Sequence, residues 1–301
     1  MKKGFEFIWP PAVLPGEALA VAAPASPISR EAWEAGVGIL KGWGFTVLSG
    51  PEVFHARPWG EETDRDRARR LQEIWHDPEV RGITGARGGY GSLKLLEHLD
   101  FKALKANPKR LFGFSDLTNL LLTLNQRARL VTFHGPTVAH LPQLTEAARE
   151  SFYKWLTSPG PREVEFSGLT PLHSGQGSGP LMGGNLTTLC HLLGTPFAPD
   201  FSGCLLFLED HNEALYRLDR LLTHLRLAGA LAGVQGVVLG AFTHCGGTRE
   251  HFLEMAALAL APLKVPVLAG LPLGHQPENH TLPLGAWARV DAGAGRLILP
   301  A

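Results

Sequence analysis

In the segment Leu111-Phe-Gly-Phe-Ser-Asp-Leu-Thr118, a strand pattern passes directly into a helix pattern, which is the strongest indication of the fold class. The apolar residues Leu111–Phe114 predict a strand, and the run Leu117–Leu124 predicts the helix that follows it. The same alternation occurs earlier, where Ala18–Ala23 and Val80–Thr84 are predicted strands separated by amphipathic helical patterns. Strands that alternate with helices are typical of a parallel sheet covered by helices. The first half of the chain is therefore predicted to be an α/β domain.

Turn-forming residues divide the chain near its middle. The segments Ser158–Pro161 and His173–Pro180 are rich in Gly, Ser and Pro, which is the composition of turns and linkers. We therefore predict a first domain over residues 1–145, a linker over residues 146–180 and a second domain over residues 181–301. Strand patterns resume in the second domain, which is predicted to end in a hairpin.

Composition limits the classes of protein to consider. The 301 residues include 28 basic and 28 acidic side chains, so no basic surface for nucleic acid or an anionic membrane is expected. Hydrophobic residues make up 45% of the chain, which excludes a mainly disordered protein. No apolar run approaches the roughly 18 residues that span a bilayer. Glu6, Pro10 and Pro11 interrupt the apolar N-terminal stretch, which argues against a signal peptide. We expect a cytoplasmic enzyme or binding protein.

Ser115 stands at the junction of the predicted strand and helix. A serine on such a turn exposes its hydroxyl at the carboxyl end of the sheet, where helical N–H groups can stabilise an oxyanion. Gly113-Phe-Ser115 resembles half of a Gly-x-Ser-x-Gly nucleophile elbow, but Leu117 occupies the position of the second glycine. Ser115 is therefore either a nucleophile or the N-cap of the helix, a position that serine favours.

A dense glycine cluster, Gly85-Ala-Arg-Gly-Gly-Tyr-Gly91, follows the strand predicted at Val80–Thr84. Glycines packed so closely allow backbone amides to approach a ligand, or allow a tight turn with positive φ. The spacing matches neither Gly-x-Gly-x-x-Gly nor a P-loop, so nucleotide binding has little support. The alternatives are a backbone donor to an oxyanion, a clamp for a substrate carboxylate and an ordinary turn.

A nucleophilic serine needs a base and an orienting acid. Among the thirteen histidines, His275 stands out because it follows the strand predicted at Val265–Ala269. Glu209 fits as the acid, since a run of four apolar residues carries it out of a buried strand. Asp210 and Glu213 compete for that role, and a solvated loop carboxylate is the structural alternative.

The spacing of the histidines and cysteines does not predict a metal site. His134 and His140, and likewise His244 and His251, belong to no His-Glu-x-x-His motif or tight cluster of ligands. The three cysteines are too scattered for a zinc ribbon or a disulfide framework. We therefore expect no metal.

Seven short motifs, which occur in the family's order and span nearly the whole chain, resemble the LD-carboxypeptidase family of serine peptidases. That family includes the microcin-immunity peptidases. The motifs are Gly16-Glu-Ala-Leu-Ala-Val-Ala-Ala-Pro24, Arg87-Gly-Gly-Tyr-Gly91, Gly113-Phe-Ser-Asp116, His134-Gly-Pro136, Gly183-Gly-Asn-Leu186, Leu208-Glu-Asp210 and Leu273-Gly-His275.

The resemblance implies an α/β fold with two domains. The N-terminal domain is expected to be a flavodoxin-like parallel sheet that supplies the nucleophile, and the smaller, mostly β C-terminal domain is expected to supply the acid and base. The triad in chain order is then Ser115, Glu209 and His275, with the active site between the domains. Family members are usually cytoplasmic homodimers that need no cofactor.

The resemblance also suggests roles for four further residues. The backbone N–H groups of Asp116 and Gly89 are expected to form the oxyanion hole, with Gly88 as the alternative to Gly89, and the Asp116 side chain is expected to cap the following helix. Arg87 is a candidate ligand for the terminal carboxylate of the substrate, or an exposed structural arginine. Asn185 either orients the substrate or only caps a helix.

The reaction implied by the family is removal of the terminal D-Ala from murein tetrapeptide, by cleavage of an L,D-peptide bond during cell-wall recycling. Cleavage of peptidyl or aminoacyl nucleotide antibiotics by a microcin-immunity-type peptidase is the alternative. A two-domain protein that binds a small ligand without catalysis is the alternative from another class.

Overall fold

A computed structural model describes residues 6–55 and 61–301 of the chain. Parts of the predicted first domain, residues 1–5 and 56–60, lie outside the described residues. Two units can be distinguished by their internal contacts. The first unit comprises Glu6–Gly160 and Pro277–Pro283, and the second comprises Pro161–Gln276 and Leu284–Ala301.

Strands and helices alternate along the first part of the chain, as the sequence predicts. They are β1 (Ala18–Ala22), α1 (Arg30–Gly42), β2 (Thr46–Leu48), α2 (Glu61–His76), β3 (Val80–Gly85), α3 (Ser92–Leu95), α4 (Phe101–Ala106), β4 (Arg110–Gly113), α5 (Thr118–Thr123), β5 (Thr132–His134) and α6 (Glu146–Thr157). Beyond α6 follow β6 (Val164–Phe166), β7 (Thr170–His173), β8 (Gln176–Asn185), α7 (Leu186–Cys190), β9 (Leu205–His211), α8 (Leu215–Leu227), β10 (Gly236–Thr243), α9 (Arg249–Leu260), β11 (Val267–Ala269), β12 (Leu282–Leu284), β13 (Trp287–Asp291) and β14 (Arg296–Leu299).

The sheet of the first unit has the strand order β12-β5-β4-β3-β1-β2. Strands β2, β1, β3, β4 and β5 pair in parallel, in the order of a flavodoxin-like sheet. Strand β3 is buried along most of its length, as a parallel strand covered by helices on both faces requires. This topology confirms the predicted parallel α/β fold.

The start and the buried face of helix α1 follow from its sequence. The hydroxyl of Ser29 accepts a hydrogen bond from the Ala32 N–H at 3.2 Å, which satisfies a donor at the start of the helix. Gly36, Val37 and Leu40 are buried and form the inner face. The predicted N-cap at Ser29 is confirmed.

Arg110 of β4 is fully buried and ties α6 to the sheet. Its guanidinium donates hydrogen bonds to the carbonyl oxygens of Pro10 at 3.1 Å and Leu156 at 3.2 Å, and also to those of Trp155 and Ser158. Burial lowers the pKa of Arg110 to about 10, so the side chain remains charged at neutral pH. The carbonyl oxygens at the C-terminus of a helix carry partial negative charge, so the oxygens of Trp155, Leu156 and Ser158 stabilise this cation.

The sheet of the second unit has the order β6-β14-β13-β8-β9-β10-β11-β7. Strands β8, β9, β10 and β11 pair in parallel, whereas the flanking strands β7, β13, β14 and β6 pair in antiparallel fashion. The predicted terminal hairpin is confirmed as β13 and β14. None of the described helices has the length and apolar character needed to cross a membrane.

The structure differs from the prediction of a linker over residues 146–180. Helix α6 and strands β6 and β7 lie in this region, and the long strand β8 begins at Gln176. The glycines of β8 leave room for neighbouring backbone. A Cβ atom added to Gly177 would lie 2.0 Å from the carbonyl oxygen of Gln235, and one added to Gly183 would lie 1.8 Å from that of Phe207. The small residues that resemble a linker therefore permit close approach of backbone.

Candidate active site

Ser115 lies on the turn that leads from β4 into α5, where the sequence predicts it. Its φ of +62° is in the left-handed region, which residues other than glycine rarely adopt. A short 3₁₀ turn over Ser115–Leu117 continues directly into α5. A Cβ atom added to Gly113 would lie 2.4 Å from Cδ2 of Leu117, so the missing side chain at Gly113 leaves room for this turn. A serine held in such a conformation is typical of a nucleophile elbow.

The turn from Gly88 to Gly91 lies against Ser115. A Cβ atom added to Gly88 would be 2.9 Å from Cβ and 3.2 Å from Oγ of Ser115. The carbonyl oxygen of Gly88 accepts a hydrogen bond from the Ser26 N–H at 3.2 Å. Because the N–H of a trans peptide points opposite to its C=O, the Gly89 N–H is directed away from Ser26. Gly89 itself has a φ of +107°.

The side chain of Asp116 differs from its predicted position. Its carboxylate accepts a hydrogen bond from the Ser92 N–H at 2.8 Å, and therefore caps α3 instead of the following helix. The Ser92 hydroxyl donates to the carbonyl oxygen of Asp116 at 2.5 Å. The first residue of α3 is thus bonded twice to the residue after Ser115. The first N–H groups of a helix have no acceptor within the helix, so the Ser92 N–H binds the Asp116 carboxylate instead.

Glu209 and His275 form a hydrogen-bonded pair in the second unit. Glu209 lies within β9, and its fully buried carboxylate accepts a hydrogen bond from Nδ1 of His275 at 2.8 Å. Gly274 has a φ of +120°, and a Cβ atom there would lie 2.9 Å from Oε2 of Glu209. Of the acids considered from the sequence, Glu209 is therefore the one bonded to His275. Asp210 binds other groups, and Glu213 is 3.5 Å from the guanidinium of Arg217.

Shifted pKa values follow from this burial and charge. Burial lowers the pKa of His275, but the hydrogen bond from His275 to Glu209 and the charge of Glu209 outweigh burial and leave that pKa raised. Burial raises the pKa of the Asp210 carboxyl, although Thr187 and the backbone N–H of His211 donate hydrogen bonds to it. Burial, together with the nearby His275 and His244, lowers the pKa of His211. A positive charge is thus favoured on His275 over His211.

His211, which none of the sequence motifs indicates as a site residue, stacks on His275. The two ring centroids are 4.8 Å apart and the rings are nearly parallel, at 14°. The Thr243 hydroxyl donates to the carbonyl oxygen of His275 at 3.0 Å, so it accepts from Nδ1 of His211 at 2.8 Å. Alternate residues of a strand share a face, and His211 follows Glu209 by two positions. That alternation is the signal that could have identified it.

The two predicted substrate-binding residues have different surroundings. Arg87 is exposed. Asn185 is buried, donates to the Asp210 carboxylate at 3.0 Å and accepts from the Thr188 N–H at 2.9 Å as the N-cap of α7. The capping role suggested by the sequence is therefore confirmed, whereas substrate contact stays a prediction for both residues. Among residues 6–55 and 61–301, no group of three or more His, Cys, Asp or Glu side chains could hold a metal ion.

A strained serine beside glycine amides and a histidine bonded to a buried carboxylate are the parts of a serine hydrolase. The LD-carboxypeptidase N-terminal domain matches residues 19–135, and the LD-carboxypeptidase C-terminal domain matches residues 178–290. The chain belongs to the LD-carboxypeptidase family and is a serine-type peptidase. The resemblance seen in the seven motifs is confirmed.

Sequence similarity to named proteins covers nearly the whole chain. A protein of Streptomyces coelicolor named as a carboxypeptidase is 39% identical over 98% of this chain and 96% of its own length. The murein tetrapeptide carboxypeptidase of Pseudomonas aeruginosa is 32% identical over 91% of this chain and 92% of its own.

Solved structures share the fold of both units. An MccF-like protein from Bacillus anthracis superposes with a TM-score of 0.90 and 26% identity over 98% of this chain and 99% of the other. The microcin C7 self-immunity protein MccF in complex with aspartyl sulfamoyl adenosine has a TM-score of 0.87 and 25% identity, over 98% and 99% of the two chains. These similarities confirm the predicted two-domain α/β fold.

Proposed function

We propose that this chain is an LD-carboxypeptidase that removes the terminal D-Ala from murein tetrapeptide. Ser115 is the nucleophile, His275 the base and Glu209 the acid that orients His275. The hydrogen bond between the buried Glu209 and His275 Nδ1 carries this proposal, because a proton held on Nδ1 makes Nε2 the basic nitrogen of the imidazole. The 32% identity to a murein tetrapeptide carboxypeptidase supports the choice of substrate.

The proposed reaction begins with attack of Ser115 Oγ on the carbonyl carbon before D-Ala. His275 takes the hydroxyl proton, and the negative charge of Glu209 stabilises the resulting imidazolium. The tetrahedral intermediate collapses, the amine of D-Ala leaves with the proton from His275, and the shortened peptide remains esterified to Ser115. Water, deprotonated by His275, then hydrolyses this ester and regenerates the free serine.

The oxyanion of the intermediate is proposed to accept hydrogen bonds from the Asp116 N–H and the Gly89 N–H. The close contact of Gly88 with Ser115 and the direction of the Gly88–Gly89 peptide support this assignment. Loss of one such donor typically costs about 3–4 kcal/mol of transition-state stabilisation. Exposed Arg87 is proposed to bind the terminal carboxylate, and Asn185 to orient the substrate.

We propose that the protein works in the cytoplasm as a homodimer, without a cofactor. The cysteines support a reducing compartment, because Cys190, Cys204 and Cys245 are all free and the first two are buried. Binding of nucleic acid or membrane is not part of the proposal, since the net charge is zero.

A fluorophosphonate probe, which forms a covalent bond with an activated serine, tests the assignment of the nucleophile and base. Wild-type protein is expected to be labelled at Ser115, and the His275→Ala variant is expected to lose the label. His224→Ala changes an exposed histidine of α8 and provides the matched control, for which labelling at the wild-type rate is expected. Equal labelling of the wild-type and Ser115→Ala proteins would contradict the proposal.

Cleavage of an aminoacyl nucleotide is the second candidate function. The similarity to MccF in complex with aspartyl sulfamoyl adenosine favours it. The two functions are distinguished by incubating the protein separately with murein tetrapeptide and with aspartyl sulfamoyl adenosine. We expect a higher kcat/KM for the tetrapeptide, and the reverse ratio would favour the second candidate.

A further inference from the structure

Ser26 lies in the loop after β1 and contacts the glycine turn through both its backbone and its side chain. The Ser26 N–H donates a hydrogen bond to the carbonyl oxygen of Gly88 at 3.2 Å. The Ser26 Oγ accepts one from the Tyr90 N–H at 3.1 Å. Between these bonds, a Cβ atom added to Gly89 would lie 2.3 Å from the same Oγ. Ser26 therefore spans three consecutive residues of the turn.

These contacts fix the rotation of the peptide between Gly88 and Gly89. Its carbonyl oxygen is held by Ser26, so its N–H is held in the opposite direction. The next N–H along the chain is held by the Ser26 hydroxyl. A glycine-rich turn would otherwise have wide conformational freedom, because glycine populates many backbone conformations. Ser26 removes that freedom at the peptide whose N–H we assign to the oxyanion.

The loop that carries Ser26 is itself held by Arg67 of α2. The Arg67 guanidinium donates to the carbonyl oxygens of Pro24 and Ala25, at 2.5 and 2.7 Å. It forms an ion pair with Asp64 at 3.3 Å. A Cβ atom added to Gly91 would lie 2.8 Å from Nη1 of Arg67, so the same guanidinium packs against the end of the glycine turn. The loop and the turn are thus supported by one side chain.

We propose that Ser26 is a positioning residue for the oxyanion hole, acting through the peptide between Gly88 and Gly89. This inference rests on the proposed function, in which Ser115 is the nucleophile. The Ser26 N–H holds the Gly88 carbonyl oxygen on one side of Gly89. The Ser26 hydroxyl accepts the Tyr90 N–H and thereby fixes the backbone on the other side, so the Gly89 N–H stays aimed at the oxyanion before the substrate binds. Donors preorganised in this way stabilise the transition state without rearrangement during the reaction.

The test compares Ser26→Ala with Ser29→Ala. Each variant loses a hydroxyl that accepts one backbone N–H, at 3.1 Å for Ser26 and 3.2 Å for Ser29. Only Ser26 touches the glycine turn. The measurements are the second-order rate constant for labelling of Ser115 by a fluorophosphonate, and kcat and KM for D-Ala release, each expressed per titrated active site.

Ser26→Ala is expected to lower the labelling rate and kcat by on the order of tenfold with KM unchanged, less than the hundredfold or greater loss for a donor removed outright. Ser29→Ala is expected to change only thermal stability. Ser26→Thr, which retains the hydroxyl, is expected to restore most of the rate. Wild-type rates per active site in Ser26→Ala would overturn the inference.

Failure of the proposed function has a different signature. If wild-type protein is not labelled at Ser115, both the nucleophile and the positioning role are wrong. If wild-type protein is labelled and Ser26→Ala is labelled equally fast, only the role of Ser26 is wrong. A loss of titratable sites without a change in the rate per site would assign Ser26 a purely structural role and also overturn the inference.

Discussion

The buried carboxylate of Glu209 raises the pKa of His275. The carboxylate has no exposed surface and is 2.8 Å from His275 Nδ1, so its charge acts on the imidazole with little screening by water. His275 must be neutral to accept the Ser115 proton. Because its pKa is raised above the ordinary value of about 6.5, kcat/KM is expected to fall with decreasing pH through a pKa above that value.

Glu209→Gln tests the origin of this shift. The variant loses the negative charge while His275 remains buried, so the acid limb of the kcat/KM profile is expected to move to lower pH. The rate is expected to fall by on the order of 10³–10⁴-fold, because the amide no longer stabilises the imidazolium. The measurement is the pH profile of D-Ala release, with exposed Glu250→Gln as the matched control. An acid limb that does not move in Glu209→Gln would contradict this account.

Gly274→Ala tests the space beside the Glu209–His275 pair. The backbone at Gly274 has a φ of +120°, and the added methyl group would lie 2.9 Å from Oε2 of Glu209. We expect the carboxylate to be displaced, kcat to fall at least about tenfold, and thermal stability to decrease, because an L-residue is strained at this φ.

Gly38→Ala is the matched control for Gly274→Ala. Gly38 lies in the exposed face of α1, and no atom is within 4 Å of an added Cβ. This variant is expected to keep full activity and to gain about 0.5–1 kcal/mol of stability, because alanine is the better helix former. Equal kcat values for the two variants would show that the space beside Glu209 has no catalytic importance.

The positions of Ser115 and Glu209 along the chain could be predicted because each comes directly after an apolar run, and their catalytic roles stay a proposal. Ser115 follows β4, and Glu209 follows the four apolar residues that begin β9. The partners of Asp116 and the stacking of His211 could not be predicted in this way. They depend on contacts between residues that are 24 and 64 positions apart in the sequence, which no local pattern encodes.

At the scale of elements, the packing of α6 against the first sheet depends on Arg110. Arg110→Met would leave the carbonyl oxygens of Pro10, Trp155, Leu156 and Ser158 without this donor. Buried acceptors that lose their donors are costly, and we expect the free energy of unfolding to fall by about 3 kcal/mol or more. Urea denaturation followed by circular dichroism measures this change.

Arg69→Met is the control for the Arg110 substitution. Arg69 lies on α2 and forms exposed ion pairs with Asp66 and Glu73. Exposed ion pairs contribute little to stability, so no measurable shift of the urea midpoint is expected. Similar midpoints for the two variants would contradict the role assigned to Arg110.

The elements of the first sheet could be predicted because a strand–helix alternation is local and periodic. Strand β8 could not, because Gln176–Pro180 has the composition of a turn. Two of its positions require glycine because neighbouring backbone leaves no room for a Cβ atom. Gly177 lies against Gln235 in the segment before β10, and Gly183 lies against Phe207 of β9. The segment Pro277–Pro283 belongs to the first unit although it is distant from that unit in the sequence. Hydrophobic periodicity does not reveal such long-range contacts.

At the scale of the whole molecule, the proposed chemistry draws on both units. Ser115 belongs to the first unit, whereas Glu209 and His275 belong to the second. The proposed mechanism uses protein side chains and backbone amides alone. Incubation with excess chelator, followed by removal of the chelator–metal complex, is therefore expected to leave kcat and KM for D-Ala release unchanged. A loss of activity that zinc restores would contradict the serine mechanism.

Mass spectrometry of murein tetrapeptide, after incubation with wild-type protein or with Ser115→Ala, tests directly whether Ser115 cleaves the bond to D-Ala. We expect loss of a single D-Ala with the wild type and an intact tetrapeptide with the variant. Circular dichroism of both proteins establishes that each is folded. An intact tetrapeptide with folded wild-type protein would overturn the proposed activity, and loss of D-Ala with Ser115→Ala would overturn the assignment of the nucleophile.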